Sequence, residues 1–459
     1  MLPYLPSALT CVSLINMLIL IAYLLNLSTL HKGGFTLDTT LLPHWRRNIY
    51  LFLTSQLLSG ITSMVVQYAI IWYLTKQTGS ATVLSLATLL GMLPMALLSP
   101  LIGPFVDRWN KKGLLIIPDV IAAIFAIILS VVGTLQSHFP LWLIFVSLLV
   151  RAIAQTFQMP TIQSILPTMV PANELTRING QLGMVQSANF IISPALGAFL
   201  FAIIPINLLI LVDVLGAVIA IGLLSLVIIP EHPVIDEPVH VLADAKFGLT
   251  KLRSSQGLWA ITLIGAAFTF MFMPAASLYP LMTMRYFQGT VGQAGLIEVI
   301  YSVGMLVGGA IIGLFGKWPD RMKPIFWATI AMGLTFGASG FLPGNQLGFW
   351  WFVGLNVLAG IVTPFYSTLL MAMIQQSFPA NQLGRVLGVL NSLTSLAGPA
   401  GLIFAGPLAD AIGVEKLFII GGIGSLLCGL TMWLIPSARR YDQQLQTRLK
   451  PTESDQLLS

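Results

Sequence analysis

Residues 171–180 read Pro171-Ala172-Asn173-Glu174-Leu175-Thr176-Arg177-Ile178-Asn179-Gly180, and residues 379–388 read Pro379-Ala380-Asn381-Gln382-Leu383-Gly384-Arg385-Val386-Leu387-Gly388. Six of the ten positions are identical, 208 residues apart (379 − 171). Each phrase stands between two long apolar runs. Further on, Ser193-Pro194-Ala195-Leu196-Gly197 answers Gly398-Pro399-Ala400-Gly401. A polar phrase that recurs at the same place in each half of the chain points to an internal duplication. Two parallel halves joined by a polar loop is a layout that secondary transporters use.

The composition around these phrases says which solvent the halves face. Hydrophobic residues make up 56% of the 459 and charged residues only 8%, where a soluble domain carries roughly 25%. So few charges cannot cover a water-exposed surface, so most of it must face lipid. The net charge of +6 does not mark a nucleic-acid binder, because the basic residues sit in short gaps between apolar runs and form no basic domain. Cys11 and Cys428, at opposite ends, give neither a disulfide framework nor metal spacing.

About 20 apolar residues cross the hydrocarbon as a helix. Spans are expected at about 49–75, 81–104, 113–135, 140–166, 179–204 and 206–229, then at about 256–283, 292–316, 323–343, 347–375, 383–410 and 413–435. No charge falls between Pro324 and Gly384, and that run divides at Pro343-Gly344-Asn345, a tripeptide that punctuates helices. Segments this long and apolar form helices, not barrel strands. The expected fold is therefore all-α and polytopic, with six-helix halves at 42–229 and 256–435, a central cytoplasmic loop at 230–255 and a cytoplasmic tail at 436–459. A further apolar run, 7–30, lies in an extension of residues 1–41 and reads as one additional helix or as a start assigned too early.

Basic residues set the orientation. With both ends of the twelve-helix core inside, 18 of the 22 Lys and Arg fall in cytoplasmic segments. Only Lys76, Arg285 and Lys416 fall outside, and Arg151 is left within a span.

The loop after the second span reads Gly103-Pro104-Phe105-Val106-Asp107-Arg108-Trp109-Asn110-Lys111-Lys112. Gly103 permits close helix approach, Asp107 suits a basic partner or a helix N-terminus, and Arg108, Lys111 and Lys112 anchor the loop at the cytoplasmic surface. This loop resembles the G-x-x-x-D-R-x-x-[RK]-[RK] signature of the major facilitator superfamily. Arg151-Ala152-Ile153-Ala154-Gln155 looks like that family's R-x-x-Q-G pattern with the Gln one place late. Ser193 to Gly197 looks like its antiporter motif G-P-x-x-G, with Pro194 and Gly197 kept and the first Gly replaced by Ser193. From about Trp45 to Ile435 the chain is similar to the macrolide-efflux proteins of the drug:proton antiporter branch, through phrases such as Ile71-Trp72-Tyr73-Leu74-Thr75-Lys76, Pro364-Phe365-Tyr366-Ser367 and Leu383-Gly384-Arg385-Val386. The resemblance implies a twelve-helix major facilitator fold in a bacterial-type cell membrane. It also implies proton-coupled efflux of small amphiphiles, macrolides among them, by a monomer without cofactors. Relatives in that branch export siderophores and other metabolites too.

An ionised carboxylate inside a bilayer either pairs or takes up a proton. Glu298, isolated in an apolar span, is the main candidate for proton coupling, with Asp213 beside it and Arg151 as a charged switch; Asp119 and Asp410 lie nearer span ends. Gln56, Ser63, Gln67 and Tyr68 of the first span, with Phe272 and Met273 of the seventh, are candidates for the substrate cavity, since aromatic and adaptable methionine side chains suit bulky amphiphiles. No Walker-type loop is present, which excludes an ATP-driven pump in this chain alone. The five histidines, His31, His44, His138, His232 and His240, are scattered without ligand-like pairing. That argues against a lipid-modifying enzyme and against a metal site, and leaves a non-transporting sensor as the other class to separate by transport assays.

Overall fold

The computed structural model describes residues 45–136, 139–171, 174–230, 241–315 and 318–449; at 99–101, 103–105, 107–108, 176, 241–244, 315, 380–381 and 449 only the backbone is described. The run 7–30 lies outside the described residues. Every element among the described residues is helical. The first six are α1 (Trp45–Thr78), α2 (Ala81–Arg108), α3 (Lys111–Gln136), α4 (Leu141–Gln155, resuming as Gln158–Met169), α5 (Leu175–Ile203) and α6 (Ile206–Leu209, resuming as Val212–Leu226). The second six are α7 (Gln256–Ser277, then Tyr279–Leu281 and a π turn at Met282–Tyr286), α8 (Val291–Phe315), α9 (Met322–Ser339), α10 (Gln346–Ser377), α11 (Ala380–Ile412) and α12 (Val414–Leu434). Eleven of these are long and apolar enough to cross a membrane. The exception, α9, has 18 residues and carries Lys323 and Pro324 in its first turn. The chain thus adopts the expected arrangement of two sets of six helices.

Local chemistry accounts for the breaks and ends. Pro160 has no N–H to give and crowds the carbonyl four residues back, at Thr156, where α4 breaks; Thr156 turns its hydroxyl onto Ala152 O (2.7 Å). Asn345 caps α10 by accepting from Gly348 N–H (2.9 Å). Thr290 and Gln293 exchange backbone–side-chain bonds at the start of α8, a capping box.

The expected central loop holds a polar helix, Val241–Ser254, whose Leu252 is fully buried and whose Phe247 lies under Arg385 of α11, with 5.1 Å from guanidinium carbon to ring centre. The expected tail is also partly ordered. Helix Tyr441–Leu449 is clasped to α9 by Asp442, which accepts from Arg321 Nε (2.9 Å), Nη2 (2.5 Å) and backbone N–H (2.6 Å).

The two sets of six meet along α2 against α11 and α5 against α8. The close approaches lie toward one end. A Cβ on Gly406 would stand 2.5 Å from Thr82 Cα, and one on Gly295 would stand 2.7 Å from Ala198 Cβ. At that end Asp410 of α11 reaches the start of α2 and accepts from Ala81 N–H (2.7 Å), Thr82 N–H (2.9 Å) and the Ser80 hydroxyl (2.8 Å). Arg285 donates to Gly79 O beside it. At the other end, where helix Val241–Ser254 lies, the starts of α5 and α11 are exposed. Gly180, Gly183, Gly384 and Gly388, at the starts of α5 and α11, have no atom within 4 Å of where a Cβ would be, and Met184 is 72% exposed. The close approaches between the halves therefore lie at the far end, and the starts of α5 and α11 face open space at the linker end.

Asp410 thus joins the halves through a helix N-terminus. Losing such a cap costs about 1 kcal/mol, or roughly fivefold in a conformational equilibrium. Asp410→Ala is expected to speed the labelling of a cysteine at Ala294, which is 3% exposed beside Trp72 and Ala198, by an impermeant maleimide about fivefold, in a chain with Cys11 and Cys428 replaced by Ser. An unchanged rate would show that Asp410 does not hold the far end shut.

Candidate functional site

The interior of the first six helices holds a connected set of polar groups. Arg151 of α4 and Asp213 of α6 form an ion pair (Nη1 to Oδ2, 2.5 Å), with side chains 3% and 2% exposed. The second oxygen of Asp213 accepts from the Ser63 hydroxyl of α1 (2.9 Å). One turn back on α1, Ser59 donates to Asp119 of α3 (2.6 Å), which Gln158 of α4 also approaches (3.5 Å). Asp119 is within electrostatic reach of both Arg151 and Asp213. The face of Gln56, Ser59 and Ser63 therefore turns its two serines into the bundle of α3, α4 and α6, and Gln56 bonds its neighbour Ser55 (3.4 Å). Gly216 makes the approach of α6 to α1 possible, because a Cβ there would strike Thr62 Oγ1 at 1.9 Å. The Nε of Arg151 is buried without a partner among the described residues.

Glu298 stands apart from this set, on α8. Three residues before it, Gly295 packs on Ala198 and on the Trp72 ring; four residues after it, Ser302 donates to Phe190 O of α5 (3.2 Å). Helical spacing puts all three on one stripe, so Glu298 lies on the face that α8 presents to the first six helices. It is half-buried, and makes no hydrogen bond or ion pair among the described residues. Arg151, Asp213 and Glu298 are thus divided: two form a pair inside one half, and the third sits alone at the seam between halves.

The remaining candidates separate in the same way. Tyr68 stacks on Trp72 (5.5 Å between ring centres), and Gln67 lies beside Gly91 of α2. Phe272 belongs to an aromatic cluster, 5.6 Å from Phe268 and 4.8 Å from Phe336 of α9, while Met273 packs where α11 carries Gly398. Pro194 and Gly197 of α5 meet Gly295 and Trp72, respectively, so that motif lies in the α5–α8 seam. In the signature loop, Lys112 donates to Ser225 O (2.9 Å) and Val227 O (3.0 Å), closing the end of α6 with a positive charge. Lys111 starts α3. Gly103, Asp107 and Arg108 lie on α2 with side chains outside the described residues.

Ser59 and Asp119 are members of the polar set that the sequence reading did not single out as a site. A signal existed: Leu115, Asp119, Ala122 and Ala126 follow one helical face, and all four are buried. No local signal could bring Asp410 to the start of α2.

Removing one member of a buried pair leaves an uncompensated charge, at about 3–5 kcal/mol. Arg151→Ala is expected to lower stability by that much in thermal unfolding of the purified protein, and the double replacement Arg151→Met with Asp213→Leu to recover most of it. An Arg151→Ala protein of unchanged stability would contradict the pairing.

With this geometry in view, relatives can be compared. A family model described as Major Facilitator Superfamily matches residues 52–401 and 272–454. Macrolide efflux protein A of Streptococcus pyogenes is 37% identical over 401 residues, covering 87% of this chain and 98% of that protein. The multidrug efflux pump Tap of Mycolicibacterium fortuitum is 27% identical over 414 residues, 86% of this chain and 98% of its own. Among solved structures, a bacterial homologue of the human lysosomal transporter Spinster superposes with a TM-score of 0.61 at 16% identity, over 89% of this chain and 98% of that one. The chain belongs to the major facilitator superfamily, in the branch that holds the macrolide-efflux proteins.

Proposed function

We propose that the protein exports amphiphilic molecules of the macrolide type in exchange for protons, by alternating access between its six-helix halves. The observation that carries this reading is Glu298: a carboxylate within a membrane-spanning helix, without a hydrogen bond or ion pair among the described residues, on the seam that must open and close. An intramembrane acid without a partner is costly unless it binds a proton or a ligand. The names of the relatives support efflux and macrolides as cargo, and the open linker end offers a way in. The count of basic residues supports a cytoplasmic linker end, so the described state faces inward.

In this reading cargo enters between the starts of α5 and α11. The halves then rock about the α2–α11 and α5–α8 seams, and the far-end contacts of Asp410 and Arg285 give way. Glu298 takes a proton from the far side and yields it on the linker side. Arg151 and Asp213 lie in the same half and travel with it. Their pair holds α4, α6 and, through Ser63, α1 together as one body, while the coupling falls to Glu298.

Cells expressing the chain are expected to accumulate less macrolide than cells without it, and a protonophore should abolish the difference. Glu298→Gln should abolish it as well, with the protein still inserted in the membrane. Export should weaken as external pH rises toward the internal value, since the gradient that loads Glu298 from outside vanishes. Export that survives both the protonophore and Glu298→Gln would sink proton coupling at this residue.

A further inference from the structure

The α5–α8 seam carries a groove toward its far end. Ala195, Ala198 and Ala202 follow one face of α5 at helical spacing, and Gly292, Gly295 and Val299 follow one face of α8. The helices touch where Gly295 meets Ala198, and the small side chains around that contact leave a hollow of about 400 Å³ with an apolar wall. Trp72 of α1 closes its inner side, for a Cβ on Gly295 would stand 3.6 Å from the Trp72 ring. Both helices are long and apolar enough to span a membrane, and Phe199 beside the groove is 61% exposed. The groove therefore opens onto lipid, and an acyl chain is the guest that its wall suits.

At the start of α8 the groove adjoins a second hollow of opposite character. This one, of about 680 Å³, lies between Thr75–Gly79 of the first half and Met284–Val291 of the second, and Val291 in its wall is the neighbour of Gly292 in the groove. Its charged lining residues are Lys76 and Arg285, two of the three basic residues that the orientation places outside. Lys76 makes no ion pair among the described residues. Arg285 gives one donor to Gly79 O and has four more. Asp410, the acid at the adjoining start of α2, is taken up by three donors there. Two fully buried donors beside the junction also have no acceptor among the described residues: the indole N–H of Trp72, and the hydroxyl of Thr283, which stands behind Gly289 of the lining. Free donors and two cations suit an anionic guest rich in oxygen.

We propose that the two hollows form one site for an anionic phospholipid of the outer leaflet, with its phosphate between Lys76 and Arg285 and an acyl chain in the groove between α5 and α8. The orientation comes from the basic residues, as above, and the site itself does not depend on what the protein exports. The pairing of hollows selects this guest. A zwitterionic headgroup brings its own ammonium toward two cations and is repelled. A free phosphate fills the basic hollow and makes no use of the groove. Basic pockets between membrane helices hold anionic headgroups by the same attraction. Since α1 and α5 belong to one half and α7 and α8 to the other, the lipid touches both and favours the arrangement in which their far ends meet.

The test counts the lipids retained by the purified full chain in native mass spectrometry. Dioleoyl phosphatidylglycerol and dioleoyl phosphatidylcholine, which differ in headgroup only, are titrated separately in one detergent. Wild type is expected to hold one phosphatidylglycerol about tenfold or more tightly than phosphatidylcholine. Lys76→Ala with Arg285→Ala should erase that preference, and Lys416→Ala, at the third outer basic residue, should leave it intact. Lys76→Ala alone, at an exposed position, should cost about fivefold in affinity, which keeps the test decisive if the double variant does not fold. Ala202→Trp, which fills the groove from an exposed position, should lose the bound lipid as well. Glycerol phosphate, which has no chain, should not displace it at equal concentration. Equal retention of the two lipids, or a preference that survives the loss of both cations, would overturn the headgroup site. Displacement by glycerol phosphate, with retention unchanged in Ala202→Trp, would reduce the site to one for a free anion and overturn the lipid assignment. Displacement by erythromycin, mole for mole, would make the groove a cargo port and overturn it too. Because the readout is binding, a failure here leaves the exporter reading standing, and a failure of export leaves this site standing.

Discussion

A charge in hydrocarbon must be neutralised, and this one constraint orders the interior of the molecule. Arg151 and Asp213 neutralise each other at 2.5 Å, with Ser63 filling the remaining oxygen. Asp119 is held by Ser59 and Gln158. Arg321 meets Asp442 where the last helix docks, and Asp410 meets the N–H groups that α2 leaves unpaired at its start. Each partnership also joins helices that are distant in sequence, so the electrostatics and the assembly of the bundle are one arrangement. Glu298 is the exception among these acids, and it stands on the surface where the two halves meet.

The seams between halves are built for movement. Small residues let backbones touch, as Gly295 does against Ala198 and Gly406 against Thr82. Such contacts hold little energy apiece and can be exchanged without exposing a large apolar patch. Within a half the packing is heavier. Phe336, Phe352 and Phe418 gather around Tyr279 in the second half, while Phe52, Leu115 and Ile165 close the first. Stiff bodies meeting at smooth seams, with polar contacts concentrated at the far end, give two ends that can open in alternation.

Much of the fold was legible in the sequence because lipid imposes period and length. Twelve runs of apolar residues became twelve helices, and the Pro343-Gly344-Asn345 break fell where Asn345 now caps α10. The recurring phrase marked the starts of α5 and α11, which flank the open end. What could not be read was convergence across the chain. Ser59 and Asp119 are 60 residues apart, and Asp410 is 328 residues from Thr82. The helical face that carries Gln56, Ser59 and Ser63 was visible, but nothing local says that Ser59 and Ser63 turn inward to Asp119 and Asp213 and away from a cavity. The helix Val241–Ser254 passed for a loop because its apolar stripe is thin, and Leu252 and Phe247 find their partners only on distant segments. Phe272 and Met273 read equally as cavity wall or core, and side-chain packing alone resolves them into contacts with Phe336 and α11.

The most direct measurement is of protons released when cargo binds. Erythromycin would be added to the purified protein in weakly buffered, mildly acidic detergent solution, and the pH change followed against the amount bound. Exchange through Glu298 requires its proton to leave when cargo binds, so about one proton should be released per molecule bound by the wild type and none by Glu298→Gln. Binding without proton release in the wild type, or equal release from the Gln variant, would contradict the account.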